Sequence, residues 1–107
     1  MFLAQKWMSL SGGGRRGGTW TGVWAGMDVF TTVAPYDSVN DKWSNQSGVF
    51  GRLTVTKDKV NKKYHATYWV CADDGTNATF TGSADFGSDQ ITVNWYNVYS
   101  TTVTWNP

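Results

Sequence analysis

At 107 residues the chain is long enough for one domain and too short for two. Seven Trp, five Tyr, five Phe and a wealth of Thr favour strands, and good helix formers are scarce, with three Leu and eight Asp but no Glu. A net charge of +1 on scattered lysines argues against nucleic acid or a membrane as partner, and the single cysteine, Cys71, excludes an internal disulfide.

Taken in chain order, period-two alternation predicts eight short strands. The first is Phe2–Leu10, a segment too short and too polar for a signal peptide. Ser11–Gly18, reading SGGGRRGG, is expected to be a flexible hairpin loop. Gly18–Val33 follows as one long alternating run, with Trp20, Gly22, Trp24, Gly26, Asp28 and Phe30 sharing a parity. Ala34–Asn40 starts with AlaPro and reads as a linker, because proline cannot donate to a ladder. Asp41–Ser47 and Val49–Thr56 come next, and the Lys- and Asn-rich 57–63 is a solvated turn. In Tyr64–Ala72, the residues Tyr64, Ala66, Tyr68 and Val70 share one face, and Asp73-Asp74-Gly75 is a turn signal. Ala78–Asp85, Gln90–Val98 and Ser100–Trp105 complete the set, and no internal repeat stands out. Eight strands joined mostly by tight turns suit an all-β, eight-stranded antiparallel up-and-down barrel, a fold that can enclose one small ligand.

Several segments resemble avidins and streptavidins. Trp43-Ser44-Asn45-Gln46-Ser47-Gly48 is similar to the family's first strand, W-x-N-x-x-G. His65-Ala66-Thr67-Tyr68, Ala78–Asp85, Ile91-Thr92-Val93-Asn94-Trp95 and Ser100-Thr101-Thr102-Val103 resemble later strands in family order. Gln5-Lys6-Trp7 resembles the seventh strand, and Trp20–Thr31 the eighth, W-x-x-x-x-x-G-x-D-x-F-T. The resemblance therefore implies a single avidin-like barrel, 1–107, that is circularly permuted. In it residues 1–33 supply family strands seven and eight, 34–42 a linker and 43–107 strands one to six. Closed barrels tolerate such rearrangement because their old termini are neighbours.

The same resemblance implies non-catalytic capture of biotin. Asn45 and Tyr68 would donate to the ureido oxygen, with Ser47 as a substitute donor, and Asp28 would accept a ureido N–H. Trp7 and Trp95 would wall the rings, Ser100 would bond the carboxylate and Thr102 would lie near the sulfur. Trp20 would cap the site of a neighbouring subunit, so a homo-oligomer, tetramer or dimer, is expected, as is secretion. Trp24, Trp69 and Trp105 read as packing or interface residues, and the sole histidine, His65, has outward parity.

The sequence departs from the family pattern where polar partners belong: Val49 and Val70 replace hydroxyls and Thr104 an aromatic. Asp73 and Asp74 would repel a carboxylate tail. Two lost hydrogen bonds at roughly 1–2 kcal/mol each would weaken biotin binding by orders of magnitude. Two other readings stay open: an avidin-shaped assembly scaffold with a decayed site, and a carrier of another small apolar ligand. One histidine, one cysteine and no Glu assemble neither a zinc cage nor a catalytic triad, so neither an enzyme nor a bound metal is expected. No cofactor is called for beyond biotin as bound ligand.

Overall fold

A computed structural model describes residues 13–26, 28–46, 48–72, 75–96 and 99–107. It contains eight strands: β1 Thr19–Ala25, β2 Val29–Asp37, β3 Lys42–Ser44, β4 Gly51–Asp58, β5 Lys63–Cys71, β6 Asn77–Asp85, β7 Gln90–Trp95 and β8 Tyr99–Asn106. Each pairs antiparallel with the next, and β8 returns to pair with β1, which closes the barrel. The all-β, eight-stranded antiparallel barrel expected from the alternation is therefore present.

Its strands are drawn differently from the sequence pattern. The single run 18–33 is a hairpin: β1 and β2 pair Trp24 with Phe30 and Ala25 with Val29 around a three-residue turn. Residues 34–37 are not a linker but the second half of β2, with Ala34 buried and Pro35 opposite Thr19. Pro35 stands opposite the first residue of β1, and the β2–β3 ladder begins only after it, at Tyr36 and Asp37. The expected strand Phe2–Leu10 lies outside the described residues, and the strands between 19 and 106 close without it.

A short repeat also emerges. Asp37-Ser-Val-Asn-Asp-Lys42 and Asp58-Lys-Val-Asn-Lys-Lys63 form equivalent turns between β2 and β3 and between β4 and β5. In each, the leading Asp accepts from the backbone N–H of the Asn three residues on, at 3.2 Å for Asn40 and 3.0 Å for Asn61. The next residue, Asp41 or Lys62, then takes a left-handed backbone with φ of 54° or 55°. Hydrogen bonds from Asn61 hold the Asp58 carboxyl at about 2, helped by His65, whose ring lies 3.3 Å away on the outer face.

The end of the barrel where β1 starts is sealed by aromatics. Trp20, Trp43 and Tyr64 are fully buried there, meeting edge to face at centroid distances of 5.2–6.0 Å. The stretch expected to be a flexible loop closes this end, in its described part, Gly13–Gly18. The Arg15 backbone N–H donates to the Tyr64 hydroxyl at 2.8 Å, and the Trp43 indole donates to the Gly17 carbonyl at 2.9 Å. The Arg15 guanidinium stacks 4.2 Å over Trp105 and pairs with Asp89.

Lys57 enters the same end on inward parity, its side chain 2% exposed, and meets Asp41 at 2.6 Å. Burial lowers the Lys57 pKa although Asp41 pulls the other way. Burial likewise opposes ionisation of Asp41, but hydrogen bonds from Lys57, Tyr36 and Lys59 outweigh it and hold the carboxyl well below its usual range.

Candidate ligand-binding site

Among the described residues, nothing closes the opposite end in this way. β3 is only three residues long, so β2 and β4 lack a full strand between them there, and residues 45, 46 and 48–50 belong to no strand. Inward positions at this end are aromatic: Trp24 on β1, Phe30 on β2, Phe80 on β6 and Trp95 on β7. Trp24 and Trp95 lie 4.2 Å apart by ring centroid, and Trp24 stacks on Phe80 at 5.8 Å and on Phe30 at 6.3 Å. The Trp95 indole N–H is satisfied by the Thr101 hydroxyl at 3.1 Å, which fixes the ring.

Beneath them lies Tyr68. Its hydroxyl donates to the Thr32 hydroxyl at 2.6 Å, and burial raises its pKa against the opposing effect of that bond. The ring fits only because Gly22 and Gly51 lack side chains. A Cβ on Gly22 would come within 2.7 Å of Tyr68 Cε2, and one on Gly51 within 2.5 Å of Phe30 Cε2.

Above this floor is a cup of about 390 Å³, completed by Phe50, Val70, Cys71, Asn77, Tyr96 and Asp28 among others. That volume is at the small end of ligand sites. Tyr96, 5.6 Å from Phe80 and 6.1 Å from Trp95, takes a left-handed backbone with φ of 56° in the turn out of β7. Such a conformation is unusual for a bulky side chain, costs on the order of 1 kcal/mol and is found disproportionately at ligand sites. A second concavity of about 510 Å³ lies outside the barrel where β2 and β3 diverge, lined by Val33, Pro35, Tyr36, Asp37, Ser44, Asn45 and Gln46. It is the larger but also the more open of the two, and its lining has only one aromatic ring, so the cup is the better ligand site.

The residues expected from sequence to form one site are distributed over the molecule. Trp95 and Asp28 both line the cup, and Asp28 is exposed at its rim. Tyr68 is under the floor, its hydroxyl engaged by Thr32 rather than presented to the cup. Asn45 lies in the outer groove. Ser100 and Thr102 are exposed on the outer face of β8, because Thr101 and Val103 take the inward positions. Trp20, expected to reach a neighbouring subunit, is instead wholly buried at the sealed end of its own barrel. Trp7 and Ser47 lie outside the described residues. At the positions of departure, Val70 lines the cup, while Val49 is exposed.

Sequence reasoning passed over Trp24, Phe30, Phe50, Phe80 and Tyr96 as ligand-facing groups. Inward parity with Trp20 was the available signal for Trp24 and Phe30. No sequence signal told which end of the barrel each would occupy. No protein-family model, curated protein or solved structure matches the chain.

Proposed function

We propose that the protein is a non-catalytic binding protein that takes a small, flat, largely apolar ligand into the aromatic cup at the open end. The observation that carries this reading is the Trp24–Trp95 pair, already desolvated and fixed by neighbouring rings and Thr101, lining a cavity of about 390 Å³. A rigid apolar site needs little ordering when ligand enters, so most of the burial free energy appears as affinity. Biotin, the ligand implied by the avidin resemblance, would find Trp95 as a wall and Asp28 as a ureido acceptor. Asn45, Ser100 and Thr102 face elsewhere, so such a complex would rest on fewer hydrogen bonds than the resemblance implies.

The test is titration with the neutral fluorophore N-phenyl-1-naphthylamine, followed by displacement with biotin. Saturation near one probe per chain is expected, with affinity reduced several-fold by Phe50→Ala or Tyr96→Ala. Both rings are largely exposed, so neither substitution endangers the fold. Absence of probe binding to folded protein, or its loss on Val33→Asp in the outer groove instead, would refute the cup. Displacement by biotin would bring that ligand to this site, and failure to displace would remove biotin while leaving the carrier reading intact.

A further inference from the structure

We infer that the ligand of the cup is an organic cation, an ammonium group carried on an apolar body. The inference rests on the cup being a binding site, and it names the charge of what enters. Among the described lining residues six are aromatic, one is a carboxylate, Asp28, and none is Lys, Arg or His. The walls meet at steep angles: Trp95 and Tyr96 are inclined by 74°, Phe80 and Tyr96 by 69°, and Phe80 and Trp95 by 60°. These three rings, packed edge to face on one another with centroids 5.6–6.5 Å apart, all line the one small volume. A cation held within about 6 Å of ring faces is attracted by their quadrupoles, and more strongly where water is excluded. A neutral apolar ligand needs the rings but has no use for the rim carboxylate, and an anionic ligand would meet Asp28 with no cation among the described lining residues.

Charge elsewhere along the barrel adds little. Arg15 and Arg16 before β1, Lys42, and the lysines of the β4–β5 hairpin all belong to the sealed end. Near the open end the described basic residue is Arg52, and it lies on the outer face over Trp69 at 4.9 Å. Asp37, Asp41, Asp58, Asp85 and Asp89 share that sealed end and offset much of its charge, so what favours a cation at the cup is the local rim carboxylate and not a long-range field.

The experiment compares phenyltrimethylammonium with its neutral isostere tert-butylbenzene and with benzenesulfonate, each displacing bound N-phenyl-1-naphthylamine. The expected result is displacement by the ammonium at no more than a tenth of the concentration needed for the isostere, with benzenesulfonate weakest. In Asp28→Asn that preference is expected to fall below threefold, while the isostere and the melting temperature are unchanged, because Asp28 is exposed. Equal potency of the ammonium and its isostere, or stronger displacement by benzenesulfonate, would overturn the cation inference and leave the apolar cup standing, whereas a preference that survives Asp28→Asn would support it through the rings alone. Failure of the probe itself to bind would overturn the site and the inference together.

Discussion

Replacing Gly22 by alanine should destabilise the barrel through one ring. The new Cβ would lie 2.7 Å from Tyr68 Cε2 and 3.3 Å from Val103 Cγ2, whereas ordinary contacts begin near 3.4 Å. Tyr68 is fully buried and is held by Thr32 below Trp24 and Phe30, so it has to move by roughly 0.7 Å against close-packed neighbours. Overpacking of this kind costs about 1–3 kcal/mol, and losing the Tyr68–Thr32 bond adds about 1 kcal/mol, giving roughly 2–4 kcal/mol in all. For a domain of this size that corresponds to a fall in Tm on the order of 10–20 °C. Guanidinium unfolding followed by tryptophan fluorescence measures it, and the midpoint should fall without a change in slope. The decisive arm is the same substitution in a Tyr68→Leu background. There the ring is gone, and Gly22→Ala should be neutral or stabilising by up to about 1 kcal/mol, since alanine loses less backbone entropy than glycine in a strand. A loss below about 0.5 kcal/mol in the parent, or an equal penalty in both backgrounds, would refute the claim that Gly22 is there to admit Tyr68.

Two further expectations concern the sealed end and the rim. Asp41→Asn removes the partner of the buried Lys57 ammonium; Asp41 is itself partly exposed and Lys57 keeps its stacking on Trp43, so the loss at pH 7 should be about 2–3 kcal/mol. The sign with pH follows from the depressed Asp41 pKa. Its stabilisation is complete above the unfolded value near 3.9 and is lost as pH falls below it, so the gap between parent and variant should narrow on acidification below about pH 4. A gap in unfolding free energy that is constant from pH 7 to pH 2.5 would contradict this assignment. Cys71, half-buried and lining the cup, should react with a disulfide reagent several-fold more slowly when N-phenyl-1-naphthylamine is bound. An unchanged rate at saturating probe would place the probe elsewhere.

The alternation of the sequence determined that this chain is all-β and which residues face inward. Tyr64, Ala66, Tyr68 and Val70 are all buried, and Trp20, Gly22 and Trp24 line the interior as their shared parity requires. It did not determine where the strands turn. Partners in the β1–β2 hairpin mirror about residue 27, so inward residues before and after the turn have the same parity. A long strand and a hairpin with an odd-numbered turn therefore write the same alternating pattern, and the run 18–33 was open to either reading. The same arithmetic governs β8. Trp95 pairs with Tyr99 and Val93 with Thr101, which sends Ser100 and Thr102 outward whatever motif they resemble. Position along the barrel axis was also beyond sequence. Trp20 and Trp24 are one turn of the alternation apart from Gly22 on the same face. Yet one helps seal the barrel and the other floors its open cup, because only closure against seven other strands decides which end receives the plug of residues 13–18 and which is left open by the short β3.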